Sequence, residues 1–177
     1  MARAVLSKYP GSLSVGTVDP CDVKEIMIQK ILRTLILERP GGKWTMARWA
    51  EKLTASGESI SQRLDKRPDS ERNRQVLSHI IGIEQWGQSR LRVGLGEPFK
   101  EDEYDGYRPS RNRSWEQLKA EFRMTRKRTV ALAEALDANQ VDQFMKVKHN
   151  RYGMLTIGAW LRYLDMHANW EIKKIKS

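Results

Sequence analysis

Residues 114–136, SWEQLKAEFRMTRKRTVALAEAL, read as one amphipathic helix. Ser114 stands three positions before Gln117, a pair that closes a helix start by exchanging hydrogen bonds between side chains and backbone. Behind it Trp115, Leu118, Phe122, Thr129, Leu132 and Leu136 recur in steps of three, four or seven. That period gathers side chains on one helical face. An apolar stripe of this kind must be buried against something, so further helices are expected around it.

Working outward, the chain supplies them. Residues 99–113 are polar, rich in Asp, Tyr and Arg, and carry Gly106 and Pro109, so they read as a long crossover loop. Before the loop, residues 70–93 place Val76, Ile80, Ile83, Gly87 and Leu91 on one face and break at Gly94, Gly96 and Pro98. Residues 45–66 align Trp49, Leu53, Ile60 and Leu64 and end near Pro68. A shorter piece over residues 22–38 opens with Asp22 and Glu25 as a cap and is expected to stop at Pro40-Gly41-Gly42. Downstream, a last helix is expected from about Met154, with the stripe Ile157, Leu161, Leu164, Ala168, Glu171 and Ile175. No strand-length alternation competes with these patterns. The expected fold is all-α, an antiparallel four-helix bundle with a long crossover loop and an extra N-terminal helix packed outside it. The expected division is an N-terminal extension, residues 1–44, and the bundle, residues 45–177. No fixed-period repeat or low-complexity tract points elsewhere.

Composition narrows the function classes. A chain of 177 residues suits one hydrophobic core. Its single cysteine, Cys21, permits neither an internal disulfide nor a cysteine-based zinc cluster, which fits a reducing cytoplasm. The first ten residues carry Arg3 and Lys8 without a signal-length apolar run, and the apolar stretch 26–37 is interrupted by Lys30 and Arg33, so neither secretion nor membrane spanning is expected. The 32 Lys+Arg against 22 Asp+Glu give +10. These charges are scattered, Arg126, Lys127, Arg128 and Lys146 among them, and no recognition helix, zinc-finger spacing or RNA-binding motif accompanies them. A solvated basic surface is therefore expected, not a nucleic-acid partner.

The chemistry-bearing residues are few. His167 and Glu171 are four apart, so both project from one helical face, a turn apart. His79 lies among the core-facing residues of another helix. Two imidazoles and a carboxylate suit Zn, Ni, Mn or Fe and leave coordination positions open. The bland alternative is that His79 and His167 are hydrogen-bonded core residues and that Glu171, beside Lys173 and Lys174, faces solvent. His149 is expected to brace the loop that feeds the last helix. Trp44, Trp49, Trp86, Trp115, Trp160 and Trp170 are expected as core or interface anchors. Residues 101–113 are the expected source of substrate contacts.

Residues 76–84 (VLSHIIGIE) with Arg90-Leu91, residues 153–157 (GMLTI), residues 164–172 (LDMHANWEI), and Asp105-Gly106-Tyr107 before Trp115-Glu116-Gln117-Leu118 resemble the DinB-like superfamily, in the branch of metal-dependent hydrolases and small-thiol transferases. The resemblance runs from about residue 45 to the end. It implies a homodimeric four-helix bundle with one long crossover, and a divalent metal held by one histidine of the second bundle helix and a His-x-x-x-His pair of the fourth. His79 and His167 match two of those positions. Glu171 stands where the third histidine is expected. The resemblance thus implies a divalent-metal-binding protein that acts as a hydrolase or thiol transferase on a small molecule. The competing reading is a non-catalytic dimeric bundle that serves as a binding or interaction protein.

Overall fold

The computed structural model describes residue 31 and residues 33–177. Cys21 and the helix start expected at Asp22 lie outside them. The described chain is mostly helical. A π-helical segment, Arg33–Glu38, runs into a short turn of helix, Arg39–Gly41, and the two form α1. The bundle helices are α2 (Met46–Asp65), α3 (Glu71–Val93), α4 (Trp115–Ala138) and α5 (Ile157–Glu171). Each starts where a hydroxyl can satisfy a backbone N–H that the first turn leaves open. Thr45 accepts from Arg48, Ser70 from Asn73 and Thr156 from Ala159, and Ser114 with Gln117 makes both bonds of the capping box.

α2 and α3 each pack chiefly against α4 and α5, so the two pairs alternate around the bundle. Trp49, Leu53, Ile60, Leu64, Ile80, Ile83, Leu91, Trp115, Phe122, Leu136, Ile157, Leu161 and Leu164 are buried as the stripes require. Leu132 is only partly buried, at the margin of the core. Trp49, Trp86, Trp115 and Trp160 are inside, whereas Trp44 and Trp170 are exposed.

Two features depart from the sequence reading. Residues expected to be helical from Met154 instead form a strand, β2 (Gly153–Thr156), paired antiparallel with β1 (Lys146–His149), and α5 begins only after the Thr156 cap. Gly153 supplies the positive φ, 71°, at the turn of this hairpin. The first helix runs three residues past Glu38 and ends within the expected Pro40-Gly41-Gly42 stop. Pro40 sits in the first turn of the continuation, where its missing N–H costs nothing, and the chain turns at Gly42, whose N–H bonds to the Glu38 carbonyl. The second departure is Arg126, which is not part of the solvated basic surface. It is buried and paired with the equally buried Glu84 at 3.0 Å.

Leu37 is in the core, and Gly41 meets α5 so closely that a Cβ there would stand 2.6 Å from the Ala159 nitrogen. Glu38 accepts from the Thr156 backbone and hydroxyl. α1 therefore closes the end of the bundle at which α5 starts. Among the described residues no helix is long and apolar enough to cross a membrane.

Candidate functional site

α3 and α5 approach closely because Gly87 has no side chain: a Cβ there would fall 2.4 Å from Leu164 Cδ2. Two turns further toward the start of α3, this approach brings His79 opposite His167. Their Nε2 atoms are 3.2 Å apart, and the rings meet at 65°. Glu171, one turn after His167, completes the group: one ligand-type atom from each of the three residues lies within 4.8 Å of the others. All three side chains are half-buried. The structure thus brings together the three residues singled out in the sequence.

The crossover loop forms the wall beside them. It runs back along one face of α3, and its contacts step along that helix turn by turn. Arg90 is wholly buried and bonds Asp102 Oδ1 at 2.8 Å, with its guanidinium over the rings of Trp86 and Phe99. Asp102 also accepts from Trp86 Nε1 and, at 2.6 Å, from the Tyr107 hydroxyl. Burial acts to raise the Asp102 carboxyl, but the bonds from Tyr107 and Arg90 outweigh it and hold the group below the usual carboxylate range. Gly82 leaves room for the Arg108 side chain, whose Cγ would lie 2.8 Å from a Cβ there. At the last step Tyr104 sets its ring edge-on to His79, and Arg108 Nη2 stands 3.3 Å from His79 Nδ1.

The charge state of the pair follows from these surroundings. Burial lowers the pKa of His79, and the opposing pull of Glu171 is partly cancelled by Arg108. Burial, and next the neighbouring His79, push His167 down to about 4. Both rings are therefore neutral at pH 7. A guanidinium only donates, so Nδ1 of His79 accepts from Arg108. The remaining proton of His79 is then on Nε2, donated to Nε2 of His167. Glu171 is held by Lys174, whose Nζ is 2.6 Å from Oε1.

This donor set fits a divalent ion. Two imidazole nitrogens bound tetrahedrally to one zinc would stand roughly 3.3 Å apart, close to the 3.2 Å observed. Both rings are neutral, as ligands must be. A carboxylate within reach offers the third donor.

His149 lies outside this group. Its Nδ1 accepts from the backbone N–H of Arg151 and Tyr152, so it braces the hairpin turn, as its position in the sequence suggested. It is enclosed by Trp86, Tyr152, Trp160 and Tyr163. Sequence reasoning missed the buried Glu84–Arg126 pair. The signal was present: Arg126 falls four residues after Phe122 and three before Thr129, on the apolar stripe itself. Thr129 donates to Glu84 Oε1 at 2.7 Å, while burial raises the Glu84 carboxyl against the pull of Arg126. Arg108 lies within residues 101–113, the expected source of substrate contacts, but its contact with His79 has no local signature in the sequence.

Fold and site together define a helical bundle that carries a His–His–carboxylate group on two facing helices, walled by a crossover loop. The model of the DinB superfamily matches residues 35–169, and the chain belongs to that superfamily. No curated protein and no solved structure matches the chain.

Proposed function

We propose that this DinB-superfamily chain binds one divalent cation, Zn, Ni, Mn or Fe, through His79, His167 and Glu171, and uses it for hydrolysis or small-thiol transfer on a small molecule. The observation that carries this reading is the 3.2 Å approach of two neutral imidazole nitrogens with a carboxylate beside them. An ion with open positions supplies Lewis acidity and brings an oxygen or sulfur nucleophile into its reactive form near neutral pH. The chain's own residues do the rest. Burial keeps both imidazoles unprotonated, Tyr104 packs edge-on against His79, and Arg90 with Asp102 fixes the loop wall. A homodimer in the cytoplasm, with residues 1–44 as an extension to the bundle of residues 45–177, completes the proposal.

A second reading is a non-catalytic bundle that acts as a dimeric interaction protein. It is favoured by the Lys174–Glu171 pair and by the His79–His167 bond, which engage all three side chains without an ion.

Thermal unfolding of metal-stripped protein decides between them. A ligand that binds only the native state raises Tm by mass action. Addition of Zn, Ni, Mn or Fe is expected to raise Tm, and His79→Ala and His167→Ala are each expected to abolish the rise. Glu171→His, which removes the Lys174 pair and adds a third imidazole, is expected to tighten Zn and Ni binding. If no ion shifts the transition and the alanine variants behave like the parent, the interaction-protein reading takes its place.

A further inference from the structure

A groove of about 910 Å³ lies between the first turns of α3 and the crossover loop. Four guanidiniums line it, those of Arg74, Arg108, Arg111 and Arg113, against two carboxylates, Glu71 and Asp105. Arg74 is drawn toward Asp69 at 3.5 Å, Arg108 toward Asp105 at 2.8 Å and Arg113 toward Glu121 at 3.8 Å. Arg111 has no carboxylate partner and Glu71 no cationic one among the described residues, and within the lining itself the four guanidiniums outnumber the two carboxylates. Ser78, which precedes His79, is also in its lining, and Arg108 belongs to both places because its Nη2 reaches His79 Nδ1.

We propose that this groove is an anion subsite for the phosphate or carboxylate group of a small substrate, coupled to the His79–His167–Glu171 site by Arg108. Planar guanidiniums from both α3 and the crossover loop suit such oxyanions, since each can donate two parallel bonds. The coupling follows from hydrogen-bond bookkeeping at His79. While Arg108 donates to Nδ1, the His79 proton occupies Nε2, the atom that faces His167. An ion at that atom requires the proton on Nδ1, where it would confront the guanidinium. An anion in the groove draws Arg108 away, frees Nδ1 and makes the ligand tautomer available. Coupling of this kind is reciprocal, so each ligand strengthens the binding of the other. Arg108 acts here as a positioning residue.

The proposal rests on the metal reading only for its coupling, and the experiment separates the two. Metal-stripped protein is titrated calorimetrically with inorganic phosphate and, in a second arm, with succinate. Saturable binding of at least one is expected, with affinity lowered about tenfold in Arg74→Gln/Arg111→Gln, on the scale of a lost charge-assisted bond. Neither residue touches the triad, so the metal-induced rise in Tm must persist in that double variant. The tautomer is read by nitrogen NMR of the His79 ring: Nε2–H without anion, shifting toward Nδ1–H on saturation. Arg108→Ala is expected to tighten metal binding in anion-free buffer, whereas Arg111→Gln leaves it unchanged. Non-saturable heats, or heats identical in parent and double variant, overturn the subsite. An unchanged His79 spectrum under saturating anion overturns the coupling. Binding of duplex DNA that is lost in the double variant, with no saturable binding of either small anion, overturns the proposal in favour of a nucleic-acid contact.

Discussion

A buried imidazole that already accepts two backbone N–H bonds gains nothing from a second proton, and His149 is such a residue. Burial, and then the positive charges of Arg90 and Arg151, lower it from 6.5 to about 3. Above pH 6.5 it is neutral in both folded and unfolded chains, and its contribution to stability is complete. As the pH falls below 6.5 the unfolded chain takes up a proton that the folded chain refuses, and this continues until about pH 3. Each pH unit in that window removes up to about 1.4 kcal/mol. Urea unfolding between pH 7 and 5 is therefore expected to show a shallower loss for His149→Phe than for the parent. The variant starts lower at pH 7, by about 1–3 kcal/mol, because the Arg151 and Tyr152 N–H groups lose their acceptor. Equal slopes in parent and variant would mean that His149 is accessible to protons in the folded chain. At this scale the sequence is informative where a role is local. His149 beside Gly153 reads as a turn brace, and His167 with Glu171 reads as one helical face. The engagement of Glu171 by Lys174 was foreseen only as exposure, and Arg108 on His79, 29 positions apart, has no pattern that spacing could reveal.

The crossover is the element that couples core to site, and its anchor is Asp102. Arg90 is fully buried, and removing its carboxylate leaves a charge inside the bundle with no counter-ion. Asp102→Ala is expected to destabilise the chain by about 3 kcal/mol, the low end for a broken buried pair, because the Asp102 side chain is itself partly exposed. Asp102→Asn, which keeps an acceptor for Arg90, Trp86 and Tyr107, is expected to recover part of the loss in the same unfolding measurement. A loss within error for Asp102→Ala would mean that Arg90 finds another partner and that the loop is held by other contacts. The bundle helices were legible because each joins two signals, a hydroxyl cap and a sustained stripe: Ser70 with Ile80 and Leu91, Ser114 with Phe122 and Leu136. The hairpin was not. Its strands have four residues each, too short for a period of two to stand out, although Val147 and His149 do alternate inward against Lys146 and Lys148. The path of residues 99–113 is set by distant partners on α3, such as Arg90 and the space over Gly82, which no local pattern encodes.

At the scale of the whole molecule, the net charge of +10 and the proposed homodimer act against each other. Two like-charged copies repel at long range, and at 0.15 M ionic strength the repulsion decays over about 8 Å. Association therefore has to come from apolar surface. Trp44, Phe144, Met145 and Met154 are all exposed, and Phe144 lies beside the Gly42 turn that leads to Trp44. Salt weakens the repulsion and leaves apolar contact intact, so the balance of monomer and dimer is expected to move toward dimer as sodium chloride rises from low to moderate concentration. Light scattering at micromolar protein should then give about twice 20.6 kDa at moderate salt, with a lower average at low salt. Phe144→Ser, which removes an exposed ring and disturbs no core contact, is expected to lower the dimer fraction without changing the circular dichroism of the helices. A mass of 20.6 kDa at every salt concentration would rule out the dimer. Salt-induced dissociation would instead mean that the copies are held by ion pairs, and that the exposed rings are not the seat of association.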